Sequence, residues 1–313
     1  MVNLVNLKGR DLLTLQDFTK EEIEFILSTA IDLKRKQKRG EKHHLLEDKT
    51  LGLIFQKPST RTRVSFEVAM RQLGGYALYL GWNDLQLGRG ETIEDTGRVL
   101  SRYVDGIMAR VFSHDDLIKL AKGASVPVIN GLSDLTHPCQ ILADLLTIKE
   151  KKGDFKGLKL TFVGDGGNNV SHSLLIGATK VGMDITIGTP EGYIPNEQIL
   201  KWAQENAKHS GSKIEIVHDP VKAVEGADVI YTDVWVSMGM EKEKEKRLKV
   251  FPPFQVNSKL LSHASQDAIV MHCLPAHRGV EITDDVLDGP QSGVFDQAEN
   301  RLHAQKGLLA LLL

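Results

Sequence analysis

Cysteine is scarce in this chain: two residues in 313, Cys139 and Cys273. That does not fit a secreted scaffold stapled by disulfides, and two free thiols in a reducing, cytoplasmic compartment do fit. A charge excess of either sign is also missing. The 39 Lys and Arg nearly balance the 41 Asp and Glu, for a net charge of −2. Neither nucleic acid nor a membrane surface is therefore an expected partner. Long apolar runs are absent. The most apolar terminal stretch, Gly307 to Leu313, falls far short of the roughly 20 residues that span a bilayer and reads as the end of a buried helix. The opening Met1-Val2-Asn3-Leu4 has no basic segment leading into an apolar one, so no signal or transit peptide is expected. Internal repeats and low-complexity tracts are missing too.

What is present is a regular alternation. Strand-like runs fall at 50–55, 76–80, 106–111 and 126–130, then at 158–163, 184–187, 213–217, 228–232 and 268–271. Longer amphipathic stretches separate most of them, the pattern of parallel sheets covered by helices. Thr19 with Glu22 forms a capping box ahead of Ile23, Ile26, Leu27 and Ala30. The chain is long for one core and suits two domains of about 150 residues each. The run Lys149-Glu150-Lys151-Lys152-Gly153 marks the boundary. The expected fold is α/β: two doubly wound domains, 1–150 and 151–296, each a parallel sheet flanked by helices. A last helix, about 297–313, is expected to pack back onto the first domain.

Chemically capable residues collect after the strands. In the first half these are Lys57-Pro58-Ser59-Thr60-Arg61-Thr62-Arg63, then Arg110, then His137-Pro138-Cys139-Gln140. In the second half they are Gly164-Asp165-Gly166-Gly167-Asn168-Asn169, Asp233 to Gly239, and His272-Cys273-Leu274-Pro275. Open parallel sheets bind ligands beyond the carboxyl ends of their strands. Six clusters at that edge predict an enzyme with its site in the cleft between the domains. A helix opening at Ser59-Thr60-Arg61-Thr62 would offer free N–H groups, hydroxyls and a guanidinium to a phosphate, although a plain N-cap with surface arginines accounts for the same residues. His137, Arg110 and Gln140 could polarise a carbonyl or hold an amide. A lone histidine at that place would be a cap or packing residue.

Two other chemistries are weak. Paired metal-ligand spacing is absent, and adjacent His272 and Cys273 should point apart at a strand end, so no metal is expected. The Gly164-x-Gly166 turn has Asn169 where a dinucleotide fingerprint carries its third glycine. An NAD-dependent oxidoreductase is therefore an inferior reading, and no cofactor is expected. A non-catalytic amino-acid-binding protein on the same fold remains an alternative on fold alone.

Taken together, Ser59 to Arg63 with His137-Pro-Cys-Gln140 resemble the carbamoyl phosphate signature of the aspartate/ornithine carbamoyltransferase family. Asp233-Val-Trp-Val-Ser237-Met238-Gly239 with His272-Cys-Leu-Pro275 resemble its ornithine-specific branch. The likeness runs over essentially the whole chain, including Asp296 to Arg301. It implies that Ser59, Thr60, Arg61 and Thr62 bind the phosphate of carbamoyl phosphate, and that Arg110, His137 and Gln140 hold its carbamoyl end. It implies that Gln86 reaches a site in a neighbouring copy, that Cys273 and Leu274 line the reacting centre, and that Arg301 completes the phosphate side. Asn169, Asp233, Ser237 and Met238 would bind L-ornithine. Domain 1–150 would then take carbamoyl phosphate and 151–296 ornithine. Arg89 stands where some members carry Lys. The family forms trimers, sometimes assembled further, and runs in the biosynthetic or the catabolic direction.

The implied chemistry needs no covalent nucleophile, because carbamoyl phosphate carries its own leaving group. It needs orientation and a stabilised oxyanion, for which Arg110, His137 and Thr62 stand ready, with Arg61 on the departing phosphate. A δ-ammonium has a pKa of about 10.4, so the neighbourhood of Cys273 and Asp233 is expected to select the neutral amine. Sibling reactions on aspartate, putrescine or an acetylated ornithine are the nearest alternatives; Asp233 with Ser237-Met238-Gly239 favours free ornithine. Trp235 to Glu245 is expected to form a mobile lid, against the plainer reading of a fixed loop leading into a solvated helix.

Overall fold

The computed structural model describes residues 5–237 and 240–313, so the expectation about Met1 to Leu4 lies outside the described residues. The chain forms two compact units. One comprises the chain up to Leu146 together with Glu299–Leu313; the other is Thr147–Ala298.

In the first unit α1 (Lys20–Lys38) opens on the capping box, with the Thr19 side chain accepting from the Glu22 amide. There follow β1 (Thr50–Phe55), α2 (Thr60–Gln72), β2 (Tyr76–Gly81), α3 (Ile93–Leu100), β3 (Gly106–Arg110), α4 (His114–Gly123), β4 (Val128–Leu132) and the first turns of α5 (Pro138–Lys152). The strands pair in the order β2-β1-β3-β4, all parallel. Ile54, Ile107, Ala109, Leu117, Leu120 and Val128 form a core beneath them. β1 and β3 are buried nearly throughout, as expected for strands covered on both faces. The edge strand β2 is largely open.

The strand expected at 126–130 lies at Val128–Leu132 instead. Pro127 has no N–H to give to a ladder. Pairing starts at Val128, whose N–H goes to Asp11 Oδ1 at 2.7 Å. Asn130 N donates to Leu12 O, so the segment at Asp11-Leu12 covers the outer side of β4.

The second unit holds β5 (Lys159–Val163), α6 (Asn169–Val181), β6 (Asp184–Gly188), α7 (Glu197–Ser210), β7 (Ile214–Val217), α8 (Pro220–Val224) and β8 (Val229–Thr232). Then come α9 (Lys244–Val250), α10 (Ser258–Leu261), β9 (Ile269–His272), α11 (Asp284–Leu287) and the start of α12 (Val294–Leu312). Its parallel strands lie in the order β7-β6-β5-β8-β9. Val163, Ile230, Val256, Val270, Ile282 and Val286 share its core.

Both sheets are doubly wound. Strand order reverses between β1 and β3 in the first and between β5 and β8 in the second. The carboxyl ends at such a reversal leave a crevice, because successive crossovers go to opposite sides. Each unit therefore offers one such place; four of the six polar clusters follow these four strands, and the other two follow the adjoining β4 and β9.

Candidate active site

In the first unit, Ser59 caps α2 in extended conformation, its hydroxyl accepting from Thr62 N at 3.2 Å. The helix thus starts directly after β1, with its first N–H groups and positive dipole end at the switch point. Three donors converge on the fully buried Thr62 Oγ1: Ser59 Oγ at 3.1 Å, Arg301 Nη2 at 3.3 Å and Arg110 Nη1 at 3.5 Å. Arg301 Nη1 also donates to Gln140 Oε1 at 2.8 Å, and Gln140 Nε2 donates to Asp144 Oδ1 at 2.8 Å. Arg110, Gln140 and Arg301 are all buried; Arg61 is partly exposed beside them and Thr60 is exposed.

His137 sits at the mouth of α5, its carbonyl accepting from Gln140 N at 3.0 Å. Burial holds its pKa well below the ordinary histidine value, and the guanidiniums of Arg301, Arg110 and Arg61 push the same way. His137 is thus a neutral imidazole among three cations. Such a ring can donate a hydrogen bond to a carbonyl oxygen without adding charge. Cys139 is inert by contrast. Burial raises its thiol to about 12, and its Sγ points at Asn130 O, 3.3 Å away. Gln86 is exposed on the short 3-10 turn Gln86–Arg89.

In the second unit the Gly-rich turn leads from β5 to α6. Asn168 is the N-cap, accepting from Ser171 N at 2.7 Å and donating to Asp233 Oδ2 at 3.2 Å. Asn169, the residue expected to bind, is the first of the helix and partly buried. The glycine at 166 has a packing cause: a Cβ there would stand 2.7 Å from Tyr193 O. That contact explains the residue without a dinucleotide. Asp233 follows β8, and the Cys273 thiol donates to its Oδ1 at 3.1 Å. Burial raises the Asp233 carboxyl above the usual range; His272, the Cys273 thiol and the Val234 amide oppose this. Ser237 is partly buried, and its carbonyl accepts from Met240 N at 3.0 Å. Met238 lies outside the described residues, as does Gly239.

Behind Cys273 stands a pair the sequence did not reveal. The fully buried Glu281 accepts from His272 Nε2 at 3.1 Å, while His272 Nδ1 accepts from Leu274 N at 2.9 Å. These partners fix the tautomer, with the proton on Nε2. They also hold Leu274 at φ 58°, a conformation costly for a branched side chain. His272 and Cys273 do not point apart. Their ligand atoms and that of Asp233 lie within 4.8 Å of one another. β9 ends at His272, so the alternation of a strand no longer governs Cys273. Both nitrogens of His272 are already engaged, which disfavours a metal there.

Asn168 and Glu281 are the two residues of these clusters that sequence reasoning missed. The paired asparagines after β5 were a signal for the first. Glu281 had none, since its partner lies across a turn.

A doubly wound α/β enzyme with a polar cluster at each switch point is the class defined by fold and site. The chain belongs to the aspartate/ornithine carbamoyltransferase family. The family's carbamoyl-P binding domain matches residues 10–150, and its Asp/Orn binding domain matches residues 156–312. The chain is 67% identical to an ornithine carbamoyltransferase of Pyrococcus abyssi over 99% of its own length and 98% of the relative's. It is 66% identical to the anabolic ornithine carbamoyltransferase of Pyrococcus furiosus, over the same shares of the two chains. The solved ornithine carbamoyltransferase structure from Pyrococcus furiosus superimposes with a TM-score of 0.96, covering 99% of this chain and 98% of that one.

Proposed function

We propose that the chain transfers the carbamoyl group of carbamoyl phosphate to the δ-amine of L-ornithine, giving L-citrulline and phosphate, in the direction of arginine biosynthesis. The observation that carries this is the convergence of Arg110, Arg301 and Ser59 on Thr62 Oγ1 at the opening of α2. Two guanidiniums and a helix N-terminus brought together attract an anion. The arrangement suits a doubly charged acyl phosphate. The anabolic name of the Pyrococcus furiosus relative supports the direction.

In this reading Ser59, Thr60, Arg61, Thr62 and Arg301 bind the phosphoryl group. Arg110 and neutral His137 hold the carbonyl oxygen, and Gln140 the carbamoyl nitrogen. Gln86 serves a neighbouring copy. Asp233, Asn169, Ser237 and Met238 receive ornithine, with Cys273 and Leu274 at the reacting carbon. The δ-nitrogen forms its bond to the carbonyl carbon, the bond from that carbon to the phosphate oxygen breaks, and the amine's proton leaves with the phosphate. Negative charge on the carbonyl oxygen grows in the transition state, where preformed donors contribute most.

The two free cysteines support a reducing, cytoplasmic setting. A homotrimer, or an assembly of trimers, is supported by the open edge strand β2, where Tyr76, Leu78 and Tyr79 are exposed.

Incubation of the chain with carbamoyl phosphate and a panel of amines tests the reading. Citrulline is expected with L-ornithine, at a rate that rises from neutral to mildly alkaline pH when ornithine is limiting. Product with aspartate or putrescine and none with ornithine would overturn it.

A further inference from the structure

We propose that Gln56 is a positioning residue for Arg110, and through it for the carbamoyl end of the substrate; this rests on the role given to Arg110 above. β1 ends at Phe55, which is in register with Arg110. Beyond it the chain must leave the sheet to form the cradle, and Pro58 has no N–H to continue a ladder. The chain after β3 nevertheless stays bonded to the chain at the end of β4. Val111 N donates to Leu132 O at 2.9 Å and Asp134 N to Phe112 O at 2.9 Å. Just past Arg110 the chain therefore keeps its neighbour on the β4 flank, while on the other flank β1 has ended.

Gln56 fills the vacant flank. Its own N–H donates to Arg110 O at 2.8 Å, and its side-chain Oε1 accepts from Phe112 N at 2.7 Å. The side-chain carbonyl takes the place of the main-chain acceptor that β1 no longer supplies. The two bonds bracket Arg110, one at its carbonyl and one two residues on, so the backbone between them has little freedom to turn.

That restraint matters here because the opposite flank is irregular. The β3–β4 register slips between Ala109 and Arg110: Ala109 faces Asn130, but Arg110 faces Leu132, leaving Gly131 unopposed. A Cβ at 131 would lie 2.3 Å from Met108 Sδ and 3.3 Å from Ala109 O, so the slip is packed tightly against β3. Bulges of this kind turn a side chain toward a site, but they also leave the local ladder weaker. Since successive strand residues face opposite ways, a rotation at Arg110 would swing its Nη1 away from Thr62 Oγ1, 3.5 Å off. The Lys57 ammonium over the Phe112 ring, 4.3 Å from its centroid, adds a second hold on the same turn.

The test measures the full chain and two variants by citrulline formation, with inorganic phosphate as competitor. The wild-type assay comes first; no citrulline there would overturn the functional reading itself. Gln56→Leu keeps the bulk of the side chain and removes the acceptor. A loss of about tenfold in kcat/KM for carbamoyl phosphate is expected, since small misplacements of a reacting group cost one to two orders of magnitude. Inhibition by phosphate, which reads the cradle alone, should stay within about twofold, as should the KM for ornithine. Gln56→Glu offers Phe112 N the same acceptor and should restore kcat/KM to within about threefold of wild type. Unchanged kcat/KM in Gln56→Leu, or phosphate inhibition weakened in the same proportion, would overturn the proposal. So would a Gln56→Glu variant that folds with an unaltered melting temperature yet is as impaired as Gln56→Leu.

Discussion

Lys306 is fully buried on α12, within the first unit, and nothing in the proposed chemistry uses it. Its ammonium donates to Gln37 Oε1 at 2.7 Å and Gln72 Oε1 at 2.8 Å, and faces His43 Nε2 at 3.3 Å. His43 Nδ1 meets Glu41 O at 2.9 Å, so Nδ1 carries the proton and Nε2 accepts. All three partners are neutral, and burial lowers the lysine from 10.5 to about 8. Between those values the unfolded chain binds the proton and the folded chain does not. Stability should therefore rise with pH across that window, while the cost of the buried charge is fully present below about pH 8. The interval from 10.5 to about 8, at about 1.4 kcal/mol per pH unit, comes to roughly 3 to 4 kcal/mol, of which about 3 falls between pH 7 and 10.5 because the unfolded lysine is only half deprotonated at the upper end. Lys306→Met removes the titration and keeps the length of the side chain. Reversible denaturant unfolding of both proteins at several pH values from 7 to 10.5 checks this. The difference in unfolding free energy, wild type minus variant, should climb by about 3 kcal/mol over that range. Groups common to both cancel in the difference. Two curves that run parallel through the window would refute the reasoning, for the lysine would then titrate alike in both states.

Three further outcomes follow from the same geometry. Arg301→Gln removes charged bonds to Thr62 and Gln140; kcat/KM for carbamoyl phosphate should fall by about 10² to 10³-fold, with phosphate inhibition weakened alongside, as competition kinetics will read. Arg247 is buried, pairs with Asp165, donates to Trp235 O at 3.0 Å and reaches Glu243 at 2.9 Å, so it ties together both stems of the expected lid. Arg247→Lys loses that planar fork and should raise the KM for ornithine about tenfold or more while leaving the KM for carbamoyl phosphate unchanged; an unaltered ornithine KM counts against the lid reading. Because His137 is held neutral far below its ordinary range, its protonation should leave no break near pH 6.5 in kcat/KM for carbamoyl phosphate. A break at that pH which vanishes in His137→Gln would show that burial does not govern the ring.

Much of this molecule is legible in its residues for a simple reason: strands covered on both faces must be apolar throughout, and ligand groups must follow them. β1, with five of its six residues buried, stands out as Leu-Gly-Leu-Ile-Phe. The cradle is visible because a helix N-terminus recruits hydroxyls and an anion recruits arginines. What escapes the sequence is whatever depends on a partner brought back by the fold. Glu281 lies in Gly-Val-Glu-Ile-Thr-Asp-Asp and resembles any surface acid, yet the turn after β9 delivers it to His272. Arg247 directly follows a run of alternating charges, Glu241 to Lys246. Lys242 to Lys246 are solvated as that run implies, but Arg247 faces inward against the rings of Tyr193 and Phe251. A charge pattern reports the face that meets water and is silent about the one residue that does not.

Gln56 belongs to the same class and shows why such residues carry weight. A polar residue directly after a buried strand has no signature, since any side chain could sit where a strand ends. Its meaning comes from a parting of two chains: β1 stops at Phe55 to begin the cradle, while the chain after Arg110, whose guanidinium reaches Thr62, stays bonded to its other neighbour. Where one chain leaves a sheet and its neighbour keeps its course, the neighbour's main-chain N–H groups lose their partner on that flank. A side-chain amide placed where the first chain departs meets that need. Fold and site are therefore coupled at a residue that need not touch substrate, and a change there should alter the rate while the core, built from Ile54, Ile107 and Val128, is left intact.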